Sequence, residues 1–198
     1  PLQLYNEKVG LIKPEVNEFV TQRGHKLEPK ARAMYELETG LDMPPQTCQS
    51  IHYPWMRATL DGFNEAAGRG AEFKYIGKKE FERLKKENTL PPHHKAQVQH
   101  QLIITGFNQI DYFAIWCEET DEGLQVKEGV LIPVFVDIDY CADLLHKEME
   151  FKKMWDNRTP PEPSAKDYKK ITAKEFKDLI EKWKKAKADA DKANDLEK

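Results

Sequence analysis

Apolar and polar side chains alternate along the N-terminal part of the chain at helical spacing. Residues 1–10 carry apolar positions three to four apart and end at a glycine, which predicts a short helix. A longer helical pattern begins at Pro14 and stops at Gly40. Because Gly24 and Pro29 interrupt this pattern, we expect a break or a kink near them.

The next part of the chain changes to a period of two, which is typical of β-strands. Strands are predicted over 47–53 and 57–63, and the alternating run 71–75 predicts a third. Gly68 and Gly70 lie between the second and third strands, where a hairpin would join them.

Two helices, two strands and a long helix complete the predicted domain. They are helices over 78–88 and 93–106, strands over 112–116 and 130–136 with an acidic loop at 118–128 between them, and a helix over 138–155. Asp137 stands where an N-cap residue would begin the last of these helices. The order predicts an α/β (α+β) domain with a central mixed β-sheet flanked by helices.

The C-terminal part differs in composition from this domain. We divide the chain into a domain at 1–156, a proline-rich linker at 157–170 and an amphipathic helix at 171–198. Thr172 and Glu175 have the spacing of a capping box at the start of the helix. Its apolar stripe consists of Phe176, Leu179, Ile180 and Trp183. Docking of the stripe onto the domain and contact with another subunit or protein both remain open.

Composition limits the classes of function. The chain has 198 residues, of which 33% are charged, yet its formal net charge is only -3. Any surface that binds DNA must therefore be a local basic patch. No apolar run approaches the roughly 20 residues of a membrane helix, and no signal-peptide pattern opens the chain. We expect a protein of the cytoplasm that does not enter membranes.

The three cysteines, Cys48, Cys117 and Cys141, are far apart in sequence. They form no CxxC pair, so the pattern favours neither a disulfide framework nor a zinc site. We expect them to be buried thiols in a reducing compartment.

The candidate chemistry is concentrated between residues 57 and 75. Asp61 precedes a glycine, and Glu72 and Lys74 share one face of a strand because side chains alternate. Phe73 then points into the core. Hydrolysis of a phosphodiester requires charge neutralisation and an activated water, which Mg2+ held by one or two carboxylates supplies. The alternative is a turn followed by a cross-strand Glu/Lys pair on a surface hairpin.

Other polar residues have both ordinary and functional interpretations. Glu28 lies among basic residues of the first long helix, where a surface salt bridge is the common role. Thr59 would share a face with Asp61, but threonine is also frequent in strands. The polar face of the helix at 93–106 carries His94, Gln97 and Gln101.

Four blocks of sequence resemble the lambda-type and YqaJ-type recombination exonucleases of the PD-(D/E)XK nuclease superfamily. The blocks are Gly24–Glu28 with Ala31 and Arg32, Thr59–Gly62, Glu72–Lys74, and Lys95–Leu102 followed by Thr105, Gly106 and the strand at 112–116. Their order and spacing across residues 1–136 are far more specific than any single block. Thr59 and Leu60 replace the serine and proline of the family's S-P-D-G block.

The resemblance implies a restriction-endonuclease-like core and a role for each matching residue. Asp61, Glu72 and the carbonyl of Phe73 would bind Mg2+, with Mn2+ as an alternative, and Lys74 would act on the attacking water. Glu28 would lie near the metal, Gln97 would hydrogen-bond in the site or to DNA, and Thr59 would contact a 5'-phosphate. Residues 1–13 do not match the family's phosphate-binding segment, for which Arg57, Lys78 and Lys79 are candidate substitutes.

The implied activity is a metal-dependent exonuclease that digests one strand of linear double-stranded DNA from 5' to 3'. Such enzymes serve phage-type homologous recombination in a bacterial or phage-infected cytoplasm. The resemblance further implies a ring-shaped homotrimer on DNA ends and a single-strand annealing recombinase as partner. The alternatives are a structure-selective endonuclease on the same core and a non-catalytic DNA-binding protein.

Overall fold

The computed structural model describes residues 1–15, 17–121, 123–168 and 172–196. The described chain forms two compact units, one of residues 14–153 and one that groups 1–13 with 154–198. The predicted division into domain, linker and helix stays a prediction. Parts of it and of the patterns above, at Val16, Glu122, 169–171 and 197–198, lie outside the described residues.

Six helices and six strands are seen in the described residues. In chain order they are α1 (Leu2–Lys8), α2 (Glu18–Thr39), β1 (Gln46–Gln49), β2 (Arg57–Leu60), β3 (Gly62–Asn64), β4 (Arg69–Tyr75), α3 (Lys78–Glu87), α4 (Pro92–Thr105), β5 (Gln109–Thr120), β6 (Gly123–Phe135), α5 (Ile138–Asp156) and α6 (Ala173–Leu196).

The main sheet has four strands in the order β3-β4-β5-β6. β4 and β5 are parallel, and α3 and α4 form the connection between them, whereas both outer pairs are antiparallel. β1 and β2 form a separate antiparallel pair. The predicted mixed sheet flanked by helices is therefore confirmed.

Helices cover both faces of this sheet. One apolar cluster joins α2 to the sheet through Leu27, Ala31, Tyr35, Ala71, Phe73 and Phe113. The other joins α3 and α4 to the opposite face through Leu60, Leu84, Val98, Leu102, Tyr112 and Ala114. Since successive strand residues point to opposite faces, Phe73 faces α2, and Glu72 and Lys74 face α4.

Two glycines shape the approach of β2 to β4. Gly68 has φ of +60° in the turn between β3 and β4, a conformation that suits glycine. A Cβ at Gly70 would lie 2.6 Å from Cδ2 of Leu60 and 3.1 Å from Cγ1 of Ile110. The missing side chain lets the end of β2 pack closely on β4, which brings Asp61 to the sheet.

The structure corrects two predictions about the helices and loops. The predicted break is wrong, because α2 continues through Gly24 and Pro29, and a kink there stays a prediction. The buried residues Leu27, Ala31 and Tyr35 pack the helix against the sheet.

The predicted acidic loop at 118–128 is instead the end of a long hairpin. β5 runs to Thr120 and β6 starts at Gly123, whose φ is +101°. Glu118 and Glu119 are consecutive on β5 and both exposed, and Glu118 pairs across the strands with Lys127 at 2.9 Å. Charged residues at successive positions therefore obscured the strand pattern of residues 118–128 in the sequence.

The predicted strands at 47–53 and 57–63 are shorter than expected. β1 ends at Gln49, where Ser50 begins a turn and accepts a hydrogen bond from the amide of Tyr53 at 3.2 Å. The second stretch is divided at Asp61 into β2 and β3.

Other local predictions are confirmed. Asp137 caps α5 by accepting a hydrogen bond from the amide of Tyr140 at 3.1 Å. Thr172 and Glu175 exchange the two hydrogen bonds of a capping box, at 2.7 and 3.2 Å. What the α6 stripe contacts stays a prediction; its four residues are exposed.

The three cysteines are free thiols; Cys117 is buried, and Cys48 and Cys141 are partly buried. Within the described part of the chain, none of the helices has the length and apolar character needed to span a membrane.

Candidate active site

Asp61 lies at the edge of β4, just beyond the point where β3 stops pairing. The pairing of β3 with β4 ends at Gly62 and Ala71, so the amide of Phe73 lies beyond the strand ladder on that side. Oδ2 of Asp61 accepts a hydrogen bond from this amide at 2.8 Å. The N–H and C=O of one strand residue point to the same side, so the Phe73 carbonyl opens to the same edge.

The surroundings of Asp61 disfavour its charge. Burial, followed by the negative charge of Glu72, raises the pKa of Asp61 to about 7, and Glu28 adds to the increase. The Phe73 amide and Lys74 oppose this shift without cancelling it. A cation placed near Asp61 would relieve this repulsion.

Glu72 is held on the opposite side from Phe73 by three donors. Its exposed fraction is 2%. Oε1 accepts hydrogen bonds from Nε2 of Gln97, at 2.6 Å, and from the ammonium of Lys74, and Oε2 accepts one from Nε2 of Gln101 at 2.6 Å. Lys74 and Glu72 therefore lie on one face and in contact, as the alternation predicts.

Asp61 and Lys74 line a cavity of about 550 Å³ between α2 and the sheet. Glu28 of α2 also lines it, together with Phe73 and Tyr75 of β4. The cavity therefore brings Glu28 and Asp61 together, and Lys74 borders it while its ammonium contacts Glu72.

Arg32 ties α2 to this site. Its Nη2 donates to Oε1 of Glu28 at 2.7 Å and to the backbone carbonyl of Asp61 at 2.9 Å. The helix that carries Glu28 is therefore fixed to the segment that carries Asp61.

Residues 1–108 match the YqaJ-like viral recombinase domain. The chain belongs to this family. The matched region runs from α1 through α4 and so contains each of the site residues described above.

Solved structures show the same fold as this YqaJ-like chain. The alkaline exonuclease LHK-Exo from Laribacter hongkongensis has a TM-score of 0.62 and 19% identity, over 79% of this chain and 77% of that chain. The structure of LHK-Exo in complex with dAMP has a TM-score of 0.62 and 20% identity, over 79% of this chain and 77% of that chain. A phage related exonuclease from Haemophilus somnus 129PT has a TM-score of 0.56 and 14% identity, over 78% of each chain.

No curated protein sequence matches the chain. The family and the shared fold nevertheless identify the YqaJ-like chain as a nuclease, and hence as a hydrolase. The predicted relationship to recombination exonucleases is confirmed.

Two predicted substrate-binding residues lie apart from the cavity of this YqaJ-like nuclease. The hydroxyl of Thr59 pairs with that of Thr47 at 3.1 Å in the β1–β2 ribbon. The side chain of Arg57 is exposed at the start of β2, and its carbonyl lies 3.2 Å from Nε2 of His100. Neither residue is among those that line the cavity.

Sequence reasoning missed two residues of the site. Gln101 was placed on the polar face of α4 but given no role, although it lies one turn after Gln97 and shares its face. Arg32 was seen as one of several basic residues around Glu28. Its spacing of four from Glu28 was the available signal for their ion pair.

The donor set fits a hard divalent cation. In the described ranges, no three His, Cys, Asp or Glu side chains converge as a metal cage. Asp61 and Glu72 would supply two carboxylates, and the Phe73 carbonyl would add a third oxygen. Mg2+ typically takes one or two carboxylates and completes its shell with water and phosphate oxygens.

Proposed function

We propose that this nuclease is a Mg2+-dependent exonuclease, also supported by Mn2+, that digests one strand of linear double-stranded DNA from 5' to 3'. The observation that carries the proposal is that Asp61, Phe73, Lys74 and Glu28 line one cavity. Asp61 accepts a hydrogen bond from the Phe73 amide, and Glu72 accepts one from the Lys74 ammonium. Asp61, Glu72 and the Phe73 carbonyl would hold the ion. When bound, it supplies charge neutralisation at the scissile phosphate and acidifies water there.

The protein's own residues would orient the reaction. One carboxylate oxygen of Glu72 accepts a hydrogen bond from the Lys74 ammonium. The other N–H donors of this ammonium would contact the attacking water or a phosphate oxygen. Arg32 keeps Glu28 beside the cavity through their ion pair. These contacts position groups before substrate arrives, which is the main contribution of a protein to phosphoryl chemistry.

We further propose that the active form is a ring-shaped homotrimer on DNA ends that works with a single-strand annealing recombinase in phage-type recombination. The net charge of -3 supports this arrangement. In a ring, basic residues need to line only the channel, and enclosure of the DNA rather than strong affinity keeps the enzyme bound.

The test is digestion of linear duplexes labelled at either end, with and without a 5'-phosphate, in Mg2+ and in EDTA. We expect loss of the 5' label first, dependence on Mg2+ and no digestion by Lys74→Met. Lys86→Met, at an exposed lysine of α3, is the matched control and should digest normally. Release of the 3' label first would contradict the polarity, and nicking of closed circular DNA would favour an endonuclease. Binding of DNA without cleavage in Mg2+ or Mn2+ would contradict the nuclease site.

A further inference from the structure

Both oxygens of Glu72 are held by glutamines that project from one face of α4. Gln97 binds Oε1 and Gln101 binds Oε2, each at 2.6 Å. Gln97 is exposed, whereas only 2% of Gln101 is exposed. The buried amide of Gln101 therefore holds the carboxylate away from solvent, where a hydrogen bond to a charged group is strong.

Gln101 also reaches the strand that leads to Asp61. Its Nε2 donates to the backbone carbonyl of Thr59 at 3.3 Å, two residues before Asp61. Because both partners are acceptors, they fix which end of the amide faces them. One amide group thus connects the backbone before Asp61 with the side chain of Glu72.

The oxygen of the same Gln101 amide lowers the stability of the fold. Oε1 of Gln101 is buried and has no hydrogen-bond partner among the described residues. A buried polar atom without a partner destabilises the fold, and an apolar side chain of equal length would fill the space without this cost. Packing alone therefore does not account for a glutamine at position 101.

We propose that Gln101 is a positioning residue, which sets the spacing between Glu72 and Asp61 at which a divalent cation binds. The proposal rests on the metal-dependent nuclease function above. Partners that orient metal ligands typically change metal affinity or activity by about 10- to 100-fold when removed.

The same helix provides a matched control. Gln99 is as buried as Gln101, at 2%, but its side chain donates to the carbonyl of Phe135 at 2.9 Å and accepts from the amide of Asp137 at 3.0 Å. It therefore faces the β6–α5 junction and not Glu72. Replacement of either glutamine by methionine removes an amide from a buried position and keeps the length of the side chain.

The experiment is Mn2+ titration by calorimetry, without DNA, of the wild type and of the variants Gln101→Met, Gln99→Met and Asp61→Asn. We expect Gln101→Met to weaken Mn2+ binding by about 10- to 100-fold and Gln99→Met to leave it unchanged. In activity assays, Gln101→Met should raise the half-saturating Mn2+ concentration more than it lowers the rate at saturating Mn2+. If Gln101→Met does not fold, Gln101→Asn withdraws the amide by one methylene and should weaken binding in the same way.

The outcomes separate this inference from the proposed function. If Gln101→Met, or Gln101→Asn in its place, binds Mn2+ as tightly as Gln99→Met while Asp61→Asn binds none, Gln101 has no positioning role and the metal site stands. If Asp61→Asn binds Mn2+ like the wild type, the metal site itself is wrong, and the role of Gln101 is overturned with it.

Discussion

Two carboxylates, Glu72 and Asp111, are buried on opposite faces of the same sheet, with exposed fractions of 2% and 0%. They lie on the neighbouring strands β4 and β5, where Glu72 is paired with Tyr112, the residue after Asp111. Asp111 forms an ion pair with Arg69 at 2.9 Å. It also accepts hydrogen bonds from the hydroxyl of Tyr35 and the side-chain amide of Gln109, each at 2.6 Å.

The two faces differ in their balance of charge. On the α2 face, one carboxylate meets one guanidinium, and burial with the nearby Asp111 raises the pKa of Tyr35, which keeps its donating proton. On the other face and the adjoining edge, Glu72 and Asp61 lie near Lys74, and the excess negative charge contributes to the raised pKa of Asp61. Breaking a balanced buried ion pair destabilises a fold, whereas repulsion between two carboxylates favours the binding of a cation.

The largest expected difference between the two carboxylate sites is in activity. Asp61→Asn should lower the rate of Mg2+-dependent digestion by about 10³-fold or more, because it removes charge at the reacting phosphate. Asp111→Asn should digest at a rate near that of the wild type at temperatures where it is folded. Single-turnover rates on linear duplex DNA provide the measurement, and equal losses in the two variants would refute the division into catalytic and structural acids.

Stability should respond in the opposite sense. Asp111→Asn leaves Arg69 without its carboxylate and should lower the free energy of unfolding by about 3 kcal/mol, the low end for a broken buried pair because Arg69 is partly exposed. Asp61→Asn should be no less stable than the wild type in the absence of metal, since it removes a repelled charge. Urea unfolding in EDTA measures both; a marked loss for Asp61→Asn would show that its charge stabilises the fold.

Metal binding should stabilise only proteins that retain both Asp61 and Glu72. At Mn2+ concentrations about 100 times the dissociation constant, the gain in unfolding free energy should be roughly 2.7 kcal/mol for the wild type and for Asp111→Asn. Asp61→Asn should gain little at the same concentration. Thermal unfolding with and without Mn2+ tests this, and an equal gain in all three proteins would place the ion elsewhere.

The smallest expected effect concerns His94, which bonds to Tyr112 at 2.8 Å on the Glu72 face. Burial, together with His93 and Lys74, lowers the pKa of His94 to about 4. The unfolded chain therefore binds more protons between pH 6.5 and 4, and the folded protein loses stability as the pH falls through this range. The loss should be on the order of 1 kcal/mol because solvent screens the half-buried ring.

His94→Asn should remove this part of the pH dependence, measured by urea unfolding at pH 7 and pH 5. An unchanged pH dependence in His94→Asn would contradict it. NMR titration of the ring in the folded protein is the direct control, and a midpoint near pH 6.5 would refute the lowered pKa.

Local patterns in the sequence were sufficient for much of the site. The period of two in β4 placed Glu72 and Lys74 together, and Gly68 and Gly70 indicated the hairpin beside Asp61. Both inferences depend on neighbours in sequence, so they needed no knowledge of distant contacts.

Distant contacts explain what the sequence did not reveal. Pro29 is a helix breaker by local rules, but the packing of α2 on the sheet overrides it. Gln101 looked like any polar helical residue because its partners, Glu72 and Thr59, are 29 and 42 positions away. Whether Arg57 or Thr59 contacts a 5'-phosphate stays a prediction.

The brevity of β3 limits how this fold can vary. β3 has three residues, and a longer strand would supply a main-chain acceptor for the amide of Phe73, so that Asp61 would turn outward. Insertions that lengthen β3 at its Gly62 end should therefore abolish DNA cleavage without unfolding the protein. Insertions in the turn between β5 and β6 should be tolerated.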